Sequence, residues 1–276
     1  MNKVYKKKIV ITGGSGLLGK YFYKKYKNSL NIIRYPYRIE NFKKFEKFII
    51  NKKFEYFIHF AAITKNESKK FKSILNLINV KSPIKMMNIL NKNKKINLRY
   101  FLFISSSHVY GHSKNKIKEN RIRKPTNLYG KTKKKVEDYI IRNRKKFNFK
   151  LGIARIFNCT GPNQKKGNFV PDMIQKMKTK KEISNVNQYR DFIHIDDVSK
   201  SLKLMIDNEF QKPINISSGK KINLIQACKI LNKKLINKNI IFHKTRGKDI
   251  FGNNAQLKLL GIKNFKSPKK TLLSFK

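Results

Sequence analysis

Lys8-Ile9-Val10-Ile11-Thr12-Gly13-Gly14-Ser15-Gly16-Leu17-Leu18-Gly19 decides the reading of this chain. Ile9 to Ile11 is a short β-branched apolar run, the mark of a buried parallel strand. Glycines 13, 14, 16 and 19 follow at once and fit both T-G-x-x-G-x-x-G and G-x-G-x-x-G. One permits a tight turn, one lets backbone approach a pyrophosphate, and one allows close helix–strand packing. A helix opening near Gly16 aims its N–H groups and positive dipole end at the phosphates. The stretch therefore predicts a dinucleotide site built from Gly13, Ser15, Gly16, Leu17, Leu18 and Gly19.

The next strand is expected over Asn31 to Tyr35. An acid at its end would hold a ribose 2′-hydroxyl, whereas an arginine suits a 2′-phosphate. Arg34 and Arg38 stand there, with no acid before Glu40. The expected cofactor is NADP ahead of NAD, with Arg34 as a contact.

Further along, strand-like runs at Glu55 to Phe60, Tyr100 to Ser105 and Leu151 to Ile156 alternate with helical runs. Those helices are expected over Ile74 to Leu90 and from about Tyr129 to Phe147. This alternation predicts an α/β fold, a Rossmann-like doubly wound parallel sheet. The later sequence is more mixed. Helices are expected over Phe169 to Met177, Ile195 to Met205 and Leu224 to Leu231, and extended segments over Arg190 to Ile193 and Pro213 to Ser217. The expected division is a dinucleotide-binding domain over 1–162 and a smaller mixed α/β substrate-binding lobe over 163–276, partly interleaved with the first.

With 276 residues the chain can bury a substantial core. No apolar run is long enough to span a membrane, and the charged start feeds straight into the first strand, which argues against a signal peptide. Two cysteines, Cys159 and Cys228, suggest neither a disulfide framework nor a zinc site. A reducing cytoplasm and no metal are expected. The formal net charge of +51 is extreme. It could signal a polyanion partner. However, the excess is mostly lysine spread along the whole chain, with no basic tail and no arginine–aromatic stacking platform. Compositional drift is the preferred reading, and a nucleic-acid partner is not expected.

Tyr129 and Lys133 lie one helical turn apart in Tyr129-Gly130-Lys131-Thr132-Lys133, so a helix puts them on one face. A cation beside a phenol favours the phenolate and lowers its pKa. Such a tyrosine can exchange a proton with a sugar hydroxyl or keto oxygen. Ser105, Ser106 and Ser107, at the end of an apolar strand, could hold that same oxygen.

Taken in order, these segments resemble the extended short-chain dehydrogenase/reductase family, in its nucleotide-sugar epimerase, dehydratase and reductase branch. The resemblance covers nearly the whole chain. It includes the glycine turn, His59-Phe60-Ala61-Ala62, Asn79-Val80, Ser105-Ser106-Ser107-His108-Val109-Tyr110-Gly111, and Pro125 to Lys133 with Thr132 in place of the usual serine. Arg155-Ile156-Phe157-Asn158-Cys159-Thr160-Gly161-Pro162 and Arg190-Asp191-Phe192-Ile193-His194-Ile195-Asp196-Asp197-Val198 are also family-like. By resemblance, Tyr129 is the acid/base, Lys133 binds the nicotinamide ribose and tunes the tyrosine, and Ser106 fills the catalytic serine slot. Ala61, Ala62 and Asn79 adjoin the cofactor. Ser106 and Ser107 meet the substrate, Asn158 and Arg190 contact its sugar and diphosphate, and Arg246 is a later arginine on the diphosphate. His59 and Arg155 read as structural, and Asp196 and Asp197 as helix caps. His108, Tyr110 and His194 are left unassigned.

The family's dehydratases carry an acidic pair after the catalytic hydroxyl, where this chain has Ser107 and His108. That argues against 4,6-dehydration and leaves two activities on a nucleotide-diphosphate sugar: reduction of a 4-keto sugar, or 4-epimerisation like that of UDP-glucose 4-epimerases. The chain is short, the segment between the second strand and His59 is compressed with arginines that suit NADP, and Phe157 to Gln164 with Phe169-Val170 is similar to GDP-6-deoxy-mannose reductases, so reduction is preferred. A third reading, of another class, is a degenerate dinucleotide-binding protein recruited to polyanions. The resemblance also implies a homodimer through helices including the one bearing Tyr129, with repulsion among Lys131, Lys133, Lys134 and Lys135 on that helix expected to weaken the contact.

Overall fold

The computed structural model describes residues 6–64, 69–184, 186–243 and 247–275. The chain forms two compact units. The first holds Met1–Val109, Pro125–Ala154 and Leu202–Pro213; the second holds Tyr110–Lys124, Arg155–Ser201 and Ile214–Lys276. The sequence boundary at 162/163 thus falls inside the second unit, which takes 110–124 and 155–162 as well.

In the first unit, strands β1 (Lys8–Thr12), β2 (Asn31–Arg34), β3 (Tyr56–His59), β4 (Tyr100–Ser106) and β5 (Lys150–Ile156) lie in the order β2-β1-β3-β4-β5. The pairs β1–β2, β1–β3 and β3–β4 are parallel. Helices α1 (Leu17–Tyr26), α2 (Phe42–Ile50), α3 (Lys69–Asn76), α4 (Ser82–Lys92) and α5 (Leu128–Asn143) flank the sheet. Alternate strand residues face one way. Val10, Phe57, Phe101, Phe103, Leu151 and Ile153 share one core with Phe45 and Ile49 of α2, Met86, Met87 and Leu90 of α4, and Val136 and Ile140 of α5. The rings of Phe57 and Phe101 stack with centroids 5.0 Å apart, an arrangement that adds to plain area burial.

The register positions the site. Thr12 pairs with His59, and His59 with Phe103, so β1 and β3 end level while β4 runs three residues further, to Ser106. The helix expected over Ile74 to Leu90 is interrupted. A π-turn at Leu77–Lys81 joins α3 to α4, and Ser82 donates both its N–H and its hydroxyl to the Leu77 carbonyl. Between β2 and β3, where the sequence reading left only a compressed connection, α2 forms and is capped by Asn41, whose side chain accepts the Lys44 N–H at 3.1 Å.

The second unit contains β6 (Asn158–Thr160), α6 (Phe169–Thr179), β7 (Glu182–Ile183), β8 (Tyr189–His194), most of α7 (Ile195–Asp207), β9 (Pro213–Ile216), β10 (Lys221–Asn223), α8 (Leu224–Leu235), β11 (Ile241–Phe242), α9 (Ala255–Leu259) and α10 (Pro268–Leu273). β8 lies between β10, antiparallel to it, and β6, parallel to it. Its core gathers Val170, Met173 and Met177 of α6 with Phe192 and with Ala227, Cys228 and Leu231 of α8. Among the described residues, no helix is long and apolar enough to cross a membrane. Among the same described residues, no group of three histidine, cysteine or acidic side chains is arranged to hold a metal ion.

Candidate active site

The turn after β1 is built as a cradle. Gly13 has φ of +66°, a conformation L side chains avoid. A Cβ there would also lie 2.6 Å from the Ala61 nitrogen, so the turn presses on the chain leaving β3. Thr12 Oγ1 bonds His59 Nδ1 at 3.0 Å and accepts the Ala61 N–H at 3.4 Å, which ties the ends of β1 and β3 together. Gly19 is pressed as closely: a Cβ on it would meet the Gly13 carbonyl. The helix N-cap is Gly16, which has no side chain to accept a hydrogen bond, and the first turn carries no acid. The opening N–H groups of α1 therefore have no acceptor within the helix. Backbone donors, a glycine floor and the positive end of a helix are what a pyrophosphate requires, so these residues fit a dinucleotide.

Ser15 is exposed at the apex of the turn, and Leu17 and Leu18 are half-buried. Arg34 ends β2. Its guanidinium lies 4.5 Å from the centre of the Tyr23 ring, and its stem packs over Gly14, where a Cβ would come within 3.0 Å of Arg34 Cδ. Arg38 is paired with Glu40 at 2.5 Å. Ala61 and Ala62 follow β3, half-buried. Asn79, on the π-turn, clamps the chain just beyond them: its Oδ1 accepts the Ile63 N–H at 2.9 Å and its Nδ2 donates to the Ile63 carbonyl at 2.8 Å. Both ends of the amide are thus engaged, so Asn79 shapes the loop beside the cradle.

Three successive residues at the end of β4 address three residues of α5. The Ile104 carbonyl accepts from Lys133 Nζ at 2.8 Å. The Ser105 hydroxyl donates to Glu137 Oε1 at 2.5 Å. The Ser106 hydroxyl accepts the His108 N–H at 3.3 Å and lies beside Tyr129, whose pKa it lowers. Helix α5 is fixed at its start by Asn127, whose Oδ1 accepts the Gly130 N–H at 2.7 Å. Asn127 Nδ2 also lies 2.7 Å from His108 Nδ1, and the His108 ring meets the Tyr129 ring edge-on. Thr132, in the usual serine position, donates to the Tyr129 carbonyl at 2.7 Å.

The electrostatics correct one expectation. Tyr129 is not shifted down by its lysine; burial pushes it up to about 12, and Ser106 offsets this only in part. The reason is burial of the phenol itself, the largest cause of its shift. Lys133 is 2 % exposed, and burial lowers it to about 7 against the opposing pull of Glu137. Ser107 is buried in the short 3₁₀ turn after β4, while His108 is exposed. His59 is fully buried, and burial followed by the Lys133 charge depresses it to about 3, so it is neutral.

Asn158 and Arg190 lie in the second unit, on the paired strands β6 and β8. Asn158 is half-buried and donates weakly to the Asp191 carbonyl at 3.4 Å. Arg190 donates to the carbonyls of Tyr189 and Lys248 and to Gln188 Oε1, at 2.7–2.9 Å. Burial lowers it to about 10, opposed by Asp249. Beneath them sits Asp191, which sequence reading did not single out. It accepts from Ser218 N and Oγ, Gly219 N and Gly252 N, and is still pushed up by burial to about 6. Asp196 and Asp197 open α7; Asp197 accepts the Lys266 N–H. Arg155 is fully buried and donates to the Tyr110 hydroxyl and the Glu119 carbonyl. Arg246 lies outside the described residues.

The model of the NAD dependent epimerase/dehydratase family matches residues 9–217. The chain belongs to that family. It is 26 % identical over 269 residues to the dTDP-D-glucose 4,6-dehydratase of Dictyostelium discoideum, covering 82 % of this chain and 62 % of that one. Among solved structures it is similar to RMD from Pseudomonas aeruginosa complexed with NADPH, with a TM-score of 0.84, 22 % identity and 98 % of each chain covered. It is also similar to UDP-N-acetylglucosamine 4-epimerase from Methanobrevibacter ruminantium M1, with a TM-score of 0.83, 21 % identity, and 98 % and 96 % covered. The chain spans less than two thirds of the Dictyostelium relative.

Glu137 is the residue of the site that sequence reading missed, and Ser105, read there as one of three serines able to hold the substrate oxygen, donates to Glu137 instead. The signal was present: a glutamate one turn after Lys133.

Proposed function

We propose that this protein is a cytoplasmic NAD(P)-dependent oxidoreductase of nucleotide-diphosphate sugars acting at sugar C4, and that it reduces a 4-keto-6-deoxyhexose. The observation that carries the reading is the placement of Tyr129 and the buried Lys133 together on α5 beside the end of β4, with Lys133 Nζ 5.8 Å from the centre of the Tyr129 ring and bonded to the Ile104 carbonyl at 2.8 Å. A bound dinucleotide supplies two-electron chemistry, giving or taking hydride at C4. Tyr129 donates its proton to the C4 oxygen as that oxygen gains charge. Ser106 holds the same oxygen and steadies the phenolate left behind. Lys133 binds the nicotinamide ribose through its ammonium. Gly13 to Gly19 take the pyrophosphate, with Ala61, Ala62 and Asn79 shaping the wall beside it. Asn158 and Arg190, with Arg246, meet the sugar and its diphosphate; an arginine fork matches phosphate oxygens.

Reduction is preferred for the residue at the end of β2. Arg34, lying over the glycine turn, suits a 2′-phosphate and hence NADPH as a dissociable co-substrate. Elimination of water is disfavoured, since Ser107 and His108 offer no carboxylate. The second reading is 4-epimerisation with retained NAD, supported by the same acid/base pair.

The dinucleotide released by denaturing freshly purified protein, identified by chromatography, separates these readings. An empty protein that then binds NADPH supports reduction. Stoichiometric NAD or NADH overturns reduction in favour of epimerisation. Failure to bind either dinucleotide overturns both and favours the charge-driven polyanion binder.

A further inference from the structure

Glu137 is a fully buried acid that the proposed chemistry does not use. It lies one helical turn after Lys133 on α5, where residues four apart share a face. Its Oε1 accepts from the hydroxyl of Ser105, itself buried. Ser105 stands on β4 between Ile104, whose carbonyl takes the Lys133 ammonium, and Ser106, which lies beside Tyr129. The strand therefore sets an amine, a carboxyl and a phenol beside three consecutive residues. A buried carboxylate is costly unless hydrogen-bonded and opposed by a positive charge, and a buried ammonium has the converse need.

We infer that Glu137, anchored by Ser105, is a positioning residue that keeps Lys133 in its cationic form within the core. The inference rests on the reading of Tyr129 and Lys133 as a working pair. The ionisable groups facing Lys133 are Tyr129 and Glu137 from its own helix and His59 from β3. His59 is neutral, and the Tyr129 phenol is protonated at neutral pH, so among these described groups Glu137 is the acid that acts on the ammonium. Burial alone would drive Lys133 to the neutral amine at working pH, and Glu137 opposes that. Ser105 acts one step further out, holding the Glu137 side chain in place. A neutral Lys133 would lose its charge-assisted grip on the ribose.

The test is the titration of Lys133 in full-length protein without added dinucleotide. Protein labelled with 13Cε-lysine is followed by NMR, and the Lys133 signal is assigned by its loss in Lys133→Met. Glu137→Gln, which keeps the size of the side chain, is expected to move the titration down by about one pH unit or more. Ser105→Ala is expected to move it in the same direction by less. The upper pH limit of NADPH binding, read by nicotinamide fluorescence, should fall with it. An unmoved Lys133 titration in folded Glu137→Gln overturns the inference. If that variant does not fold, an unmoved titration in Ser105→Ala overturns it instead. The functional reading fails separately. If Lys133 is unmoved while Tyr129→Phe is inactive, this inference alone falls. If Lys133 shifts but Tyr129→Phe stays fully active, the functional reading alone falls.

Discussion

At the scale of single residues, the site combines groups whose charges are held away from their ordinary behaviour by burial. Tyr129 is kept protonated, Lys133 sits near neutrality, and His59 is neutral. Of these, only the Tyr129–Lys133 pair was legible as chemistry, because spacing on a helix is visible in sequence. The direction of the tyrosine shift was not legible, because it depends on how much apolar structure closes over both groups. Arg34 carries a prediction at this scale. Its guanidinium is exposed beside the glycine turn, where a 2′-phosphate would lie. Arg34→Ala should weaken NADPH binding about tenfold or more, the range of a lost charge-assisted hydrogen bond, and leave NADH binding unchanged. The chain has no tryptophan, so nicotinamide fluorescence reads both titrations without competing emission. Equal losses for both dinucleotides would remove Arg34 from this role.

At the scale of elements, β1, its turn and α1 were fully legible, since a β-branched run followed by spaced glycines has one economical fold. The helix α2 was readable but missed: Phe42, Phe45 and Ile49 recur at helical spacing behind a capping Asn41. The π-turn was not readable. Pro83, at the start of α4, marks a break but not its kind, which depends on Ser82 bonding Leu77 and on Asn79 reaching Ile63, contacts that exist only in the folded chain. The short strands β6 and β10 and the buried Asp191 are similar, since Asp191 takes its donors from residues 218, 219 and 252. Glu209 gives the prediction here. In the first unit it accepts from Tyr56 of β3 and Lys150 of β5, and pairs with Arg99 just before β4 at 2.7 Å. Burial opposes its charge, but these partners win and hold its pKa below the usual value. A carboxylate with a depressed folded pKa adds stability above its unfolded pKa and loses it as pH falls through the folded one. Glu209→Gln should therefore cost about 1–2 kcal/mol at pH 7, a modest figure because Arg99 and Lys150 are half in water. The gap to the native chain should close below about pH 4. Thermal unfolding at pH 7 and pH 3.5 checks this; a gap independent of pH would contradict it.

At the scale of the whole molecule, the fold is an α/β frame, and the chain belongs to the NAD dependent epimerase/dehydratase family. Its formal net charge is +51. Like charges on a compact body repel, and salt screens them over about 10 Å at 0.1 M. The melting temperature should rise, and NADPH affinity fall, as salt increases from about 10 mM to about 150 mM, where the screening length drops from roughly 30 to 8 Å. Calorimetry and fluorescence titration over that range check both; flat responses would show the charge to be inert. The central claim is that Tyr129 is the acid/base of a nucleotide-sugar oxidoreductase, and its most direct test uses one substitution. Oxidation of NADPH is followed with nucleotide-linked 4-keto-6-deoxyhexoses, in native protein and in Tyr129→Phe. The account predicts turnover by the native chain and a loss of about 10²–10⁴-fold in the variant, with NADPH binding intact. Undiminished turnover in Tyr129→Phe would contradict it.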